Sequence, residues 1–596
     1  MPLASLSCPT QTTASSEILL RCPECPEPRY YKGSRGLNIH IAKKHRSHTQ
    51  LSSTVLSQPN VPAPSQSPDH TSSNVPFHQI LSNLKNSRPV LKRIPRGARV
   101  SVAKSLSHTI KTVLSDNSIC NWELLLTFTF KVLHINSDEN SKSLTKVVKD
   151  NCCSDISFQP SFQTSRNTNS CLFKRVESKI SDGDIKGAAR LLFSDDAVAP
   201  YNSDTLTALH SKHPPPPTNL CLPDPPLPSD PNLIATTQDI LGAVMSFPNG
   251  SAGGLDGLTP QHLKDLLCSG CGESGEMLLK DLTALVNIML AGQVPDGIKD
   301  VLYGANLCAL IKKDGGIRPI AVGSTLRRLA AKIACRSILL KYPELQPVQL
   351  GFGSKSGCEA AVHAVRTFLE HKAGEVLLKV DVCNAFNSVD RGALLTQIKD
   401  KIPLVYKFLW QCYSSPSKLS YKNEVLASSV GCQQGDPLGP AIFSLAIHPI
   451  IKDLNSKLNV WYLDDGTLGG EAISVLEDLR KINIDMEKIG LSLNFSKCEL
   501  FITDSCPDKE NTIDLFRQIA PGIKIINKES LHLLGCPVLD QSFENFVDAK
   551  IQNFKATSHR LAKINLHSAY SIIKHCLLSQ NLHIYFAEPI FGNIPL

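Results

Sequence analysis

Two aspartates, Asp464 and Asp465, stand side by side in the stretch NVWYLDDGTLGG, between an apolar run and a glycine-rich one. Adjacent carboxylates repel each other and draw their neighbours toward water. Yet Val460, Trp461, Tyr462 and Leu463 before them have the composition of a buried strand. A β-hairpin reconciles the two demands: an apolar strand, a turn at Asp464–Asp465, then a second strand. A second stretch, EVLLKVDVCNAFNSVDR, reads as a buried strand over 376–382 that delivers Asp381 at its C-terminal end, with Phe386 five positions on at the start of a helix. As neighbours in one sheet, the two strands bring Asp381 and Asp464 together, with Asp465 beside them. Three such carboxylates raise one another's pKa, and divalent cations remove the conflict. Mg²⁺ takes hard oxygen ligands, through one or two carboxylates plus substrate phosphates. Two such ions stabilise the attacking and leaving oxygens of an in-line displacement.

The chain around this pair is long, and 596 residues suggest two to four domains. An apolar content of 42% with 19% charged residues suits a folded protein, and 39 prolines leave room for disordered stretches. The net charge of +8 is unevenly spread. From Thr71 to Ser115 no residue is acidic, whereas Lys85, Arg88, Lys92, Arg93, Arg96, Arg99, Lys104 and Lys111 all fall there. A stripe of one sign suits a polyanion such as nucleic acid; a solvated basic surface is the bland alternative. The 20 cysteines follow no disulfide framework, the N-terminus lacks a secretory pattern, and no apolar run has membrane-spanning length. Reduced thiols in an intracellular protein without a membrane partner are expected.

One cysteine cluster is organised. In RCPECPEPRYYKGSRGLNIHIAKKH, Cys22 and Cys25 have two residues between them, and His40 and His45 four. Two thiolates on a tight turn and two imidazoles about one helical turn apart close a tetrahedral Zn²⁺ site. Tyr31 and Leu37 have the apolar spacing that packs a small ββα finger, with an insert around PEPRYY, and His48 is a substitute last ligand. Cys268 and Cys271 form a second CxxC without partners nearby and read as a loop. The expected organisation is a C2H2-type finger over 20–48, a disordered Ser/Pro-rich linker over 49–84, and a basic, mostly helical nucleic-acid-binding segment over 85–200. A Pro-rich linker over 201–232 precedes a globular region over 233–545, and a helical stretch over 546–596 follows it.

In that globular region the motifs resemble, in order, those of a reverse transcriptase, and most closely the non-LTR (LINE-type) retrotransposons of the R2-like lineage. FPNGSAGGLDGLTPQHL resembles the opening motif, and LCALIKKDGGIRPIAVGSTLRRLAAK the fingers. VDVCNAFNSVDR, GCQQGDPLGPAIFSLAIHP, YLDD and GLSLNFSKCEL resemble motifs A to D, and HLLGCPV the short primer-contacting hairpin. The resemblance implies an α+β right-hand polymerase with fingers, palm and the start of a thumb, copying template RNA onto a primer of target DNA from deoxynucleoside triphosphates. Mg²⁺ or Mn²⁺ is the implied cofactor, and the nucleus the implied location, after a cytoplasmic ribonucleoprotein stage.

Carried over residue by residue, the resemblance makes Asp381, Asp464 and Asp465 the catalytic metal-binding aspartates, with the Val382 carbonyl a further ligand. Arg318, with Lys312 or Lys313, clamps the triphosphate, where fixed positive charge opposes phosphate charge. Phe386 lies under the sugar and excludes a 2′-hydroxyl. Gln434 and Gly435 let the backbone approach nucleotide and template, and Lys497 protonates the departing pyrophosphate. Lys312 and Lys497 read equally well as surface lysines. Motif C reads Tyr-Leu-Asp-Asp where most non-LTR elements carry Phe-Ala-Asp-Asp, and the sequence shows neither the cysteine-rich knuckle nor the endonuclease of R2-like elements. A catalytically decayed nucleic-acid-binding relic is therefore the alternative. An RNA-directed RNA polymerase would need to admit the 2′-hydroxyl, and a telomere or retron-type enzyme would lack the finger.

Overall fold

A computed structural model describes residues 19–21, 30–32, 75–135, 143–154, 172–193, 197–217, 221–312, 314–341, 343–371 and 374–578. The chain divides into two units, Met1–Ser73 and Asn74–Leu596. In the first, β1 (Leu19–Arg21) and β2 (Tyr30–Lys32) pair antiparallel, Leu20 opposite Tyr31. These are the segments that flank the Cys22–Cys25 motif in sequence. Cys22, Cys25, His40, His45 and His48 themselves lie outside the described residues.

The second unit mixes helices with two larger sheets, as the α+β expectation requires. Its strands are β3 (Ala305–Ile311), β4 (Ile317–Gly323), β5 (Val376–Val380), β6 (Ser417–Tyr421), β7 (Glu424–Ser428), β8 (Leu458–Tyr462), β9 (Asp465–Gly470), β10 (Glu499–Ile502), β11 (Lys524–Ile526), β12 (His532–Leu533) and β13 (Cys536–Pro537). One sheet has the order β4-β3-β6-β7, the other β11-β10-β5-β9-β8, and β12-β13 is a separate hairpin. β12 and β13 are joined by Leu534 and Gly535, at φ 49° and 81°. Positive φ at both turn positions matches the right-handed twist of the paired strands.

β5 is central in its sheet, and with both faces covered, Val376, Leu377, Leu378 and Val380 are all buried. Val376, Leu378 and Val380 join the main core, and Leu377 a smaller one with Phe368 and Leu458. The main core also takes the helix Gly439–Ile451, which has almost no polar face and is buried nearly all round. The glycines of β9 make room for rings. At Gly466, opposite Trp461 in register, a Cβ would come within 2.7 Å of the indole, and Trp461 is fully buried. Replacing that indole by alanine would cost about 3–5 kcal/mol.

The stretch expected to be one basic helical segment is helical, but its pieces pack in two places. Helices Arg99–Ser115 and Ile119–Val132 enter the main core beside Gly272–Leu290. Helices Leu172–Ser181 and Ile185–Phe193 instead pack on Asp540–Leu561 and Leu566–Ile572, through Val176, Leu192, Leu561 and Ile572. Several cations of the stripe are occupied within the fold. Lys85 reaches the Gly254 carbonyl at 2.8 Å, Arg99 pairs with the buried Asp265 at 2.8 Å, and Lys92 pairs with Asp182 at 3.2 Å. Arg96 and Lys104 are exposed.

The Pro-rich 201–232 is likewise not a free tether. It opens with the helix Ser203–Lys212, and its extended part crosses the helix Tyr406–Tyr413. There Tyr406 Oη donates to the Asp224 carbonyl at 2.6 Å and Lys407 Nζ to the Pro228 carbonyl at 2.8 Å. Prolines lack the N–H for a strand ladder, but their carbonyls remain open to side-chain donors.

Candidate active site

The β5–β9 ladder runs to Val380 opposite Gly466, so one step further Asp381 faces Asp465. The β8–β9 ladder closes at Tyr462 opposite Asp465, leaving Leu463 and Asp464 as the two-residue turn. The expected hairpin is present, with its turn one residue earlier than the sequence suggests. Asp465 is the first residue of β9 and Asp464 stands at the tip. The shift follows from Leu463, at φ 60°, which takes the left-handed turn position that the aspartates were expected to fill. Asp381 is fixed from the other side, where the Asn494 N–H donates to its carbonyl at 2.8 Å and the Cys383 N–H to the Ser492 carbonyl. Val382 is the centre of that bridge, and neither bond engages its carbonyl.

The three carboxylates feel one another. Burial pushes the Asp464 carboxyl up, the Asp381 charge adds to this, and Lys312 opposes it. Asp465 is pushed up to about 6, by desolvation first and then by the charges of Asp464 and Asp381, with Lys379 opposing. Its side chain keeps solvent access, which softens both the desolvation and the repulsion. Among the described residues, no three His, Cys, Asp or Glu side chains form a ready-made metal cage. Mg²⁺ sites held by one or two carboxylates are completed by substrate phosphate and water rather than by protein alone. The hard carboxylate oxygens of Asp381 and Asp464 fit such an ion.

Lys312, from the other sheet, is near enough to Asp464 to oppose its charge, and further cations gather around Lys312. Lys312 begins the β3–β4 turn, its N–H bonded to the Gly316 carbonyl at 2.7 Å. Its ammonium pKa is lowered by burial, then by the charges of Lys497 and Lys212, with Arg318 contributing. Arg318 is exposed on β4 opposite Leu310. Lys497 makes an ion pair with Asp314 in the same turn at 3.5 Å, so the two segments meet. Lys313 lies outside the described residues. Lys212 was invisible to sequence reasoning because it sits in a stretch read as linker. Asn384, two residues before Phe386, donates from Nδ2 to its carbonyl at 3.0 Å.

Phe386 begins the helical turn Ala385–Ser388 as the second residue and stacks on Phe443, with ring centroids 4.7 Å apart. Beside it the Gln434 carbonyl accepts the Ala321 N–H at 2.9 Å. At Gly435, φ 118°, a Cβ would lie 2.5 Å from the Ala321 carbonyl oxygen, so only glycine permits this approach. Beneath that loop sits a constellation the sequence did not reveal. Arg327, almost fully buried, pairs with buried Asp436 at 2.8 Å, bonds the Tyr413 hydroxyl at 3.2 Å and also donates to the Tyr303 carbonyl. Gln433 Nε2 donates to that same carbonyl at 2.9 Å.

A family profile described as reverse transcriptase (RNA-dependent DNA polymerase) matches residues 310–538, which contain the catalytic candidates above. The chain is 26% identical over 289 residues to the Retrovirus-related Pol polyprotein from type-2 retrotransposable element R2DM of Drosophila melanogaster, covering 44% of this chain and 26% of that protein. It is also 26% identical over 273 residues to the corresponding polyprotein from type-1 retrotransposable element R2 of Bradysia coprophila, covering 42% of this chain and 30% of that one. The matched region thus spans under a third of either relative's length. With motif order, paired carboxylates and sheet register in agreement, the chain carries a reverse transcriptase domain of the R2-like non-LTR retrotransposon kind.

Proposed function

We propose that this protein is an RNA-directed DNA polymerase that copies the element's RNA into DNA, using an N-terminal zinc finger to bind its DNA target. What supports the reading is the approach of Asp381, one step beyond β5, to Asp465 at the start of β9, with Asp464 at the tip and the Lys312 charge opposing it. Reverse transcriptase domains generally use Mg²⁺ or Mn²⁺. Asp381 and Asp464, with Asp465 and the Val382 carbonyl adjoining, would hold such ions, which would supply charge neutralisation for the attacking 3′ oxygen and the departing pyrophosphate.

The chain's own residues supply the rest. Lys312 and Arg318 hold the triphosphate, Arg318 through its planar fork and Lys312 as a point charge. Phe386, braced by Phe443, is the floor beneath the sugar and leaves no room for a 2′-hydroxyl. Gln434 and Gly435 bring backbone against nucleotide and template. Lys497 Nζ gives a proton to the pyrophosphate; its exposed pair with Asp314 is weak and exchanges readily for phosphate. For the finger, the β1–β2 pairing supports the hairpin half of a ββα unit, and Cys22, Cys25, His40 and His45 are a tetrahedral Zn²⁺ donor set. Template RNA, target DNA and deoxynucleoside triphosphates are the proposed partners, met in the nucleus.

Primer extension by the purified chain on a homopolymer RNA template, with Mg²⁺ or Mn²⁺, tests this reading. Deoxynucleotide incorporation that Asp464→Asn abolishes supports it. A protein that binds template–primer but extends nothing with either ion is the decayed relic instead.

A further inference from the structure

Three residues of the loop after helix Thr325–Lys341 lie along the free edge of β8. The Trp461 N–H donates to the Val348 carbonyl and the Leu350 N–H to the Trp461 carbonyl, both at 2.7 Å, making Gln349 and Trp461 a parallel bridge. The Gln349 side chain is fully buried. Its Oε1 accepts the Leu463 N–H at 2.8 Å and the Gly351 N–H at 3.1 Å, while its Nε2 donates to the Leu463 carbonyl at 3.2 Å. One amide thus satisfies both backbone groups of Leu463, the residue immediately before Asp464. Leu463 needs this support, since its φ of 60° is a conformation leucine rarely takes. The approach is close enough that a Cβ on Gly351 would lie 2.5 Å from the Leu463 nitrogen. A buried amide with both ends used is a fixed part, not an adaptable one.

We infer that Gln349 is a positioning residue of the polymerase site: it locks the Leu463 turn and thereby sets where Asp464 presents its carboxylate to Asp381. The inference rests on the catalytic reading of those aspartates proposed above. It assigns Gln349 no contact with substrate, so its loss acts on the chemical step and on ion affinity rather than on nucleotide capture.

Gln349→Leu keeps much of the volume and removes the clamp. It should lower kcat for primer extension by about 10- to 100-fold with the deoxynucleotide KM little changed, as a small misplacement of a reacting group does. Mn²⁺ affinity, titrated by electron paramagnetic resonance without primer or nucleotide, should fall about tenfold, in the range for lost supporting contacts. Gln349→Glu retains the acceptor but sets a second lone pair against the Leu463 carbonyl. Its activity relative to wild type should rise as pH is lowered from about 8 to about 6, because protonation restores a donor. Leu458→Ala, which weakens β8 away from the turn, is the control: it should lower the melting temperature and leave Mn²⁺ affinity intact. Should Gln349→Leu keep kcat and Mn²⁺ affinity within about twofold of wild type, or should Leu458→Ala reproduce both losses, the clamp is not a positioning device. If the wild-type chain extends no primer, the polymerase reading fails by itself. The clamp then stands or falls on whether Gln349→Leu weakens Mn²⁺ binding.

Discussion

Asp465 is the carboxylate whose titration the fold changes most legibly, from an ordinary 3.8 to about 6. A carboxyl whose folded pKa exceeds its unfolded one destabilises the native state once ionised. This contribution is absent below about 4, grows as pH rises toward about 6, and is constant above that. In chelator, Asp465→Asn should therefore melt about 1–3 °C above wild type at neutral pH, with the gap closing toward pH 4; the exposure of the side chain keeps the effect small. A gap that widens on acidification would reverse the sign and the assignment. For activity, Asp381→Asn should lower primer extension about 10²–10³-fold, the usual loss for one preorganised electrostatic contact, without lowering the melting temperature. Phe386→Val removes a ring stacked on Phe443 and opens the floor under the sugar. Ribonucleotide incorporation relative to deoxynucleotide should rise about tenfold or more, measured by competition in single-nucleotide extension.

At the scale of elements, the loop containing Gln434 and Gly435 rests on Arg327 and Asp436. Arg327→Met leaves a buried carboxylate without its partner and should cost about 3–5 kcal/mol in urea unfolding. The double variant Arg327→Met/Asp436→Leu should recover most of that loss, since an apolar pair of similar volume replaces two charges. If the double variant is as unstable as the sum of the single ones, the pair is not the loop's support. This pair also marks where sequence reading stops. Asp381 and the β8–β9 hairpin were legible because carboxylates at the ends of apolar strands conflict with their surroundings, and the Leu534–Gly535 hairpin only through the resemblance of HLLGCPV to a family motif. Gln349, Lys212 and Arg327 were not. Each acts through a partner more than a hundred residues away, or through packing that their neighbours in sequence do not announce. The one-residue error in the motif C turn has the same origin, because a buried glutamine from another loop lets Leu463 take the left-handed position.

For the whole molecule, the packing of Arg99–Ser115 into the main core changes how the proposed DNA recognition is to be measured. A fragment ending at residue 112 would expose Val102, Leu106 and Ile110, which are buried in the intact unit, so the finger is best assayed in the full chain. There, Cys25→Ser should abolish sequence preference among duplexes while a weaker, steeply salt-dependent affinity remains through cations such as Arg96 and Lys104. Preference unchanged by that substitution and by chelator would remove the finger from the role. The pairing of helices Leu172–Ser181 and Ile185–Phe193 with the C-terminal helices has a consequence for biogenesis. Cys576 Sγ meets the Ile185 carbonyl across 391 residues of chain. At ribosomal speeds of about 5–20 residues per second, the apolar side of the earlier helices waits roughly 20–80 s for its partner to be synthesised. During that interval Val176, Ala188 and Leu192 have no native cover from the C-terminal helices. Apolar surface exposed in this way is what chaperones bind, and synthesis stalled before Leu561 would leave this seam open.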